Sequence, residues 1–156
     1  MTFALASLYT ISLALWTGGI ALFTFIVTPA IFRAFDRDQA GEIVGTLFPG
    51  YFLYLLALSA LALALCFLLG ADQTTRSFRA SLLLLVFAVI INAYVLLSLH
   101  PRTIEVKQQI ASFERSALDS PARKEFRKFH AISAALNLAL LADGVALLAM
   151  SPLLKR

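Results

Sequence analysis

Few residues in this chain are equipped for chemistry, and most of them lie within or at the edge of long apolar runs. His100 and His130 are the only histidines. An imidazole ligates metal or haem and carries a proton near neutral pH. Two of them at one depth on neighbouring helices could clamp an iron porphyrin or a copper ion. Arg123 and Arg127 could then neutralise propionates or another anion through their forked donors. The competing reading is interfacial. His100 precedes a proline at the end of one apolar run, and His130 stands where another begins.

Asn92 lies eight residues before His100, and Asn137 lies seven after His130. On antiparallel helices the asparagines then share a depth and the histidines share a surface. At 100° per residue, Arg123, Phe126, His130, Ser133, Asn137, Leu141 and Gly144 form one stripe. Asn92 and Asn137 are expected either to bond to each other, at ~0.6–2 kcal/mol in a membrane, or to line a polar pocket. Asp143 falls on the face opposite His130. An ionisable group at such a position needs a partner or a place in the bundle interior. Arg79 could supply an ion pair; the alternative is a protonatable carboxyl in a transport path.

Four apolar stretches must position these residues: 3–32, 47–69, 81–99 and 131–154. Asp143 is the only charged side chain in them, although the chain carries 22 charges. Hydrophobic residues reach 60%, against ~45–50% in a soluble domain. A soluble helix needs a wet, charged face, whereas ~20 apolar residues cross a bilayer core. The expected fold is an all-α membrane protein. It is a four-transmembrane-helix bundle in a single integral domain over 1–156, with spans near 3–32, 47–69, 81–99 and 126–154. The first run is longer than a signal peptide's and lacks a basic leader, so an uncleaved span is expected.

The connections carry their own signals. Asp36 with Gln39 resembles a capping box, so a helix from about Arg37 is expected to run into span two. Pro49 should kink or start that helix. Val106, Ile110, Phe113 and Ala117 recur at helical spacing, which predicts a surface helix or an extension of span three. Ser120-Pro121 suits a helix start. Gly18–Gly19 is expected to admit a close backbone.

The face with loops one–two and three–four carries nine basic residues; the terminal face carries four. The positive-inside rule then places both termini outside the cytoplasm. The basic residues flank spans, which fits anionic lipid and argues against nucleic acid. Cys66 is the single cysteine, which excludes an intrachain disulfide or a cysteine-rich zinc site. No phosphate loop, dinucleotide fingerprint or nucleophile elbow is present.

Three segments resemble the transmembrane protein 205-like family, whose bacterial branch is grouped as a domain of unknown function. They are Gly18–Gly19 with Phe25-Ile26-Val27-Thr28-Pro29-Ala30-Ile31-Phe32, the Phe48-Pro49-Gly50-Tyr51-Phe52 start of span two, and Phe126…His130…Ser133…Asn137. The resemblance implies a four-span protein of the bacterial inner membrane and supplies no activity. A looser likeness in layout reaches copper-resistance membrane proteins and haem-linked protoporphyrinogen oxidases.

The expected function is a small transporter, accessory or assembly subunit embedded in the lipid bilayer, as a homo-oligomer or within a larger complex. Proton-coupled transport through Asp143 and the asparagines is a variant of it. The alternative is a haem- or copper-binding redox protein ligated by His100 and His130.

Overall fold

A computed structural model describes residues 2–70, 75–117 and 119–151. The expected turn at 70–75 and the end of the fourth apolar stretch lie largely outside them. The elements are α1 (Thr2–Leu22), a π-helical turn (Phe23–Val27), α2 (Thr28–Ala34), α3 (Arg37–Leu69), α4 (Arg76–Tyr94), a second π-turn (Val95–Leu99), α5 (His100–Gln108) and α6 (Pro121–Met150). They join into four long helices, each long and apolar enough to cross a membrane. No strand occurs among the described residues. The fold is the all-α, four-helix arrangement that the four apolar runs demand.

The two π-turns share one cause. Proline lacks an N–H and its ring collides with the carbonyl four residues back. For Pro29 and Pro101 that carbonyl belongs to Phe25 and Leu97, the middle residue of each turn. The helix widens there and continues, as membrane helices can. Pro49 neither starts nor interrupts a helix. α3 starts at Arg37, where the Asp36 carboxylate accepts the Gln39 N–H at 2.8 Å, and it runs unbroken through Pro49.

A 33-residue helix is ~50 Å long, against ~30 Å of hydrocarbon. The excess projects on the charged face and forms a cap. Lys107 Nζ donates to the Gly41 carbonyl at 2.8 Å. Asp38, in the part of α3 beyond the apolar stretch, accepts from Ser112 Oγ and the Phe113 N–H, each at 2.6 Å. These bonds to Asp38 hold its carboxyl below the ordinary value of 3.8, Ser112 most strongly. The amphipathic segment is therefore a helical extension of span three only as far as Gln108. Beyond it, Ile110 and Phe113 are half-buried in an irregular turn pinned by Asp38.

α1 packs on α3 and α6, and α4 bridges the other two, closing a ring of four. Tyr9, Leu13, Trp16 and Ile20, at helical spacing on α1, meet Leu55 and Cys66 of α3, Leu85 of α4 and Leu147 of α6 in the core. A smaller cluster of Phe52, Val95 and Leu99 sits toward the charged face. Lipid is as apolar as leucine, so close packing rather than water exclusion must hold such helices. Gly19 lets the Tyr54 ring lie where a side chain would begin, 2.6 Å from the position of a Cβ. The Tyr54 hydroxyl then reaches the Leu15 carbonyl at 2.8 Å. Gly18 has open space beside it, so the close-approach reading fits Gly19 alone.

Candidate functional site

The stripe on α6 faces the other helices along most of its length. Arg123 and Gly144 are buried, Phe126, Ser133, Asn137 and Leu141 are half-buried, and His130 is exposed. Asn92, Ser133 and Asn137 come together with Phe52, Leu55, Val95 and Leu140 around an internal space of about 10 Å³, close to what one water requires. The shared depth of the asparagines is therefore real, but they do not bond to each other. Asn137 accepts the Tyr51 O–H at 2.7 Å and donates to Thr24 Oγ1 at 2.7 Å. Asn92 donates to Ser59 Oγ at 3.2 Å. Each asparagine thus ties its helix to α3, and Asn137 also reaches the first helix.

Thr24 belongs to the first π-turn, so the widening caused by Pro29 falls where the first helix meets Asn137. Tyr51, Thr24 and Ser59 are the partners that sequence reasoning did not single out. Their signal is weak, because each is a neutral polar residue in an apolar run.

The histidines meet different rings. His100 lies edge-on to Phe48 and Phe52, at 5.9 and 5.3 Å between centroids. His130 stacks on Phe126 at 6.1 Å. Neither imidazole forms a hydrogen bond among the described residues. Arg123 is committed to the cap: its Nη1 donates to the Ser116 carbonyl at 2.8 Å, and its guanidinium lies 5.6 Å from the Phe113 ring centroid. Arg127 is exposed. Arg123 also lines an open groove of about 500 Å³ with Phe35, Asp36, Arg37, Phe113, Glu114 and Ser116. No group of three or more His, Cys, Asp or Glu suited to a metal occurs among the described residues.

Asp143 is 6% exposed, and neither carboxylate oxygen has a hydrogen-bond partner. Arg79 is exposed on the first turn of α4. The structure does not bring the two into an ion pair. The one ion pair among the described residues is Lys124–Asp119 at 3.9 Å on the surface. Asp143 shares its burial with Gly144, whose missing side chain makes room for Thr17 of α1.

A family profile, described as a domain of unknown function (DUF4149), matches residues 11–112. That is more than half of the chain, and the chain belongs to this family. It is also similar to an uncharacterised protein of Aquifex aeolicus (strain VF5), 26% identical over 129 residues, which are 83% of each protein. No solved structure matches.

Proposed function

We propose that this DUF4149 protein is a non-enzymatic subunit of a membrane assembly, resident in the bacterial inner membrane as one integral domain. Its termini lie on the non-cytoplasmic side. One observation carries the reading: the two asparagines at the polar stripe, Asn92 and Asn137, are spent on joining helices. Tyr51, Asn137 and Thr24 form a continuous chain of hydrogen bonds across three spans. Asn92 and Ser59 join a further pair. What remains between them holds about one water. A solute would need a wider path than this within a single copy, so a transporter built from this stripe requires several copies or a partner.

The resemblance to the transmembrane protein 205-like family supports the four-span reading, because its two most specific segments contain the fastening residues Tyr51 and Asn137. The haem- or copper-binding alternative gains no such support. His100 is wedged on phenylalanine rings, His130 is exposed, and Arg123 already holds the cap.

Extraction with its native lipids, without detergent, tests the proposal by native mass spectrometry. The expected particle contains several copies, or this chain with another membrane protein at fixed stoichiometry. A single copy surrounded only by lipid overturns it.

A further inference from the structure

Six buried side-chain polar atoms lack a hydrogen-bond partner among the described residues, and they are not scattered. They are Tyr9 Oη, Trp16 Nε1 and Thr17 Oγ1 on α1, Ser81 Oγ on α4, and both oxygens of Asp143 on α6. All five residues lie between the core centre and the face that carries the termini. Thr24, Tyr51, Ser59, Asn92 and Asn137, nearer the charged face, are all paired. Buried polar groups without protein partners ordinarily mark water, an ion or a function.

The chemistry of the set is one-sided. Four neutral groups able to donate share this half of the bundle with one carboxyl. Tyr9 packs in one core with Cys66 of α3, Leu85 of α4 and Leu147 of α6, the last two one helical turn from Ser81 and Asp143. Thr17 Oγ1 lies against Gly144, the residue next to Asp143. Among the described residues, the titratable groups packed in this half are Tyr9 of α1, Cys66 of α3 and Asp143 itself, and α4 adds the Ser81 hydroxyl. None is basic, and Arg76 and Arg79 are exposed at the rim. Among the described residues no cation pairs with the carboxylate, and an unanswered charge is costly inside a membrane. Asp143 stands seven residues before Met150, the last residue of α6. Tyr9 stands as far from the start of α1 as Asp143 does from the end of α6, and Ser81 stands nearer the start of α4.

We infer that Asp143 is a proton-exchange site, reached from the terminal face past the hydroxyls of Ser81, Tyr9 and Thr17. A proton enters from hydronium at that face, neutralises the carboxylate, and leaves by the same route with no redox change. This goes beyond the subunit reading and stands or falls separately from it.

Infrared spectroscopy of the purified full chain in lipid nanodiscs tests it. A protonated-carboxyl band is expected that vanishes in Asp143→Asn and shifts promptly when H₂O is replaced by D₂O. Tyr9→Phe with Ser81→Ala should slow that shift by about tenfold, the rate equivalent of ~1.4 kcal/mol. Should Asp143→Asn fail to fold, labelling of the wild type with a lipid-soluble carbodiimide, which attacks protonated carboxyls, locates the site by peptide mass. Asp143 is the only acid in the apolar stretches. No band and no label, a band that does not exchange, or exchange untouched by the double substitution each overturns the inference.

Discussion

Sequence alone treats Asn92 and Asn137 as equals, and the structure does not. Asn137→Leu removes two short bonds, to Tyr51 and Thr24, both at 2.7 Å. Side-chain hydrogen bonds between membrane helices average ~0.6 kcal/mol and reach ~1.7. Two short ones total about 2–3 kcal/mol on that scale. Thr24 can recover part of this by turning to a carbonyl of its own helix, which leaves about 2 kcal/mol and a roughly thirtyfold shift in the folding equilibrium. Asn92→Leu removes one longer bond, at 3.2 Å, to a serine that also donates to the Leu56 carbonyl. Its cost should be about 0.5 kcal/mol, although Asn92 is the more buried of the two. The pair Tyr51→Phe and Asn137→Leu should be non-additive by about 1 kcal/mol, since both delete the same bond. Unfolding by dodecyl sulfate in mixed micelles reads all of these through Trp16, the only tryptophan, which is fully buried. Equal costs for the two asparagines, or strict additivity of the Tyr51 and Asn137 changes, would refute the reasoning.

Three further outcomes follow from the same contacts. Gly19→Ala should cost about 1–3 kcal/mol by overpacking against Tyr54, while Gly18→Ala, with open space beside it, should be neutral in the same unfolding assay. Asp38→Ala should release the turn at 112–116, read as faster amide exchange at Phe113 and faster tryptic cleavage after Arg115. Because folding lowers the Asp38 carboxyl, its contribution is complete above the ordinary value of 3.8 and disappears as pH falls through the lower folded value. The Phe113 amide of the wild type should therefore stay protected at pH 5 and lose protection only in stronger acid. Protein expressed in haem-replete cells should purify without a Soret band; a band lost on His130→Ala would restore the ligand-pair reading.

The spans were legible because lipid tolerates no charge, so 21 of 22 charges had to fall outside four runs. Two helix starts were legible for local reasons, the Asp36 cap and the Ser120-Pro121 pair. Depth was legible as well, since counting residues from His100 and His130 correctly placed Asn92 and Asn137 around one space. Azimuth was not. Residue counting says how deep a side chain sits but not which neighbour it meets. Nothing in the sequence of span two marks a partner for the asparagines, yet α3 supplies Tyr51 and Ser59 to them and Tyr54 to the first helix. Periodicity placed Ile110 and Phe113 partly inside, but it could not reveal that Asp38 would capture that segment as a turn.

The two ends of the bundle treat polarity differently, and the backbone differs with them. Both π-turns lie in the half toward the charged face, and each adjusts a helix where partners must meet. The first carries Thr24, which reaches Asn137; the second carries Val95 and Leu99, which pack with Phe52. The terminal half is built from unbroken α-helix and leaves Tyr9, Trp16, Thr17, Ser81 and Asp143 unpartnered. Loose packing does not explain this. Leu13, Trp16 and Leu147 in the same half are 0% exposed, so the chain buries large side chains there completely. A sequence that pairs both Asn92 and Asn137 at one end, and packs the other end this tightly, is able to pair a tyrosine or a serine with Asp143 directly. That it does not do so is what separates the terminal half from the fastened one, and it places the exchangeable group there rather than in the stripe.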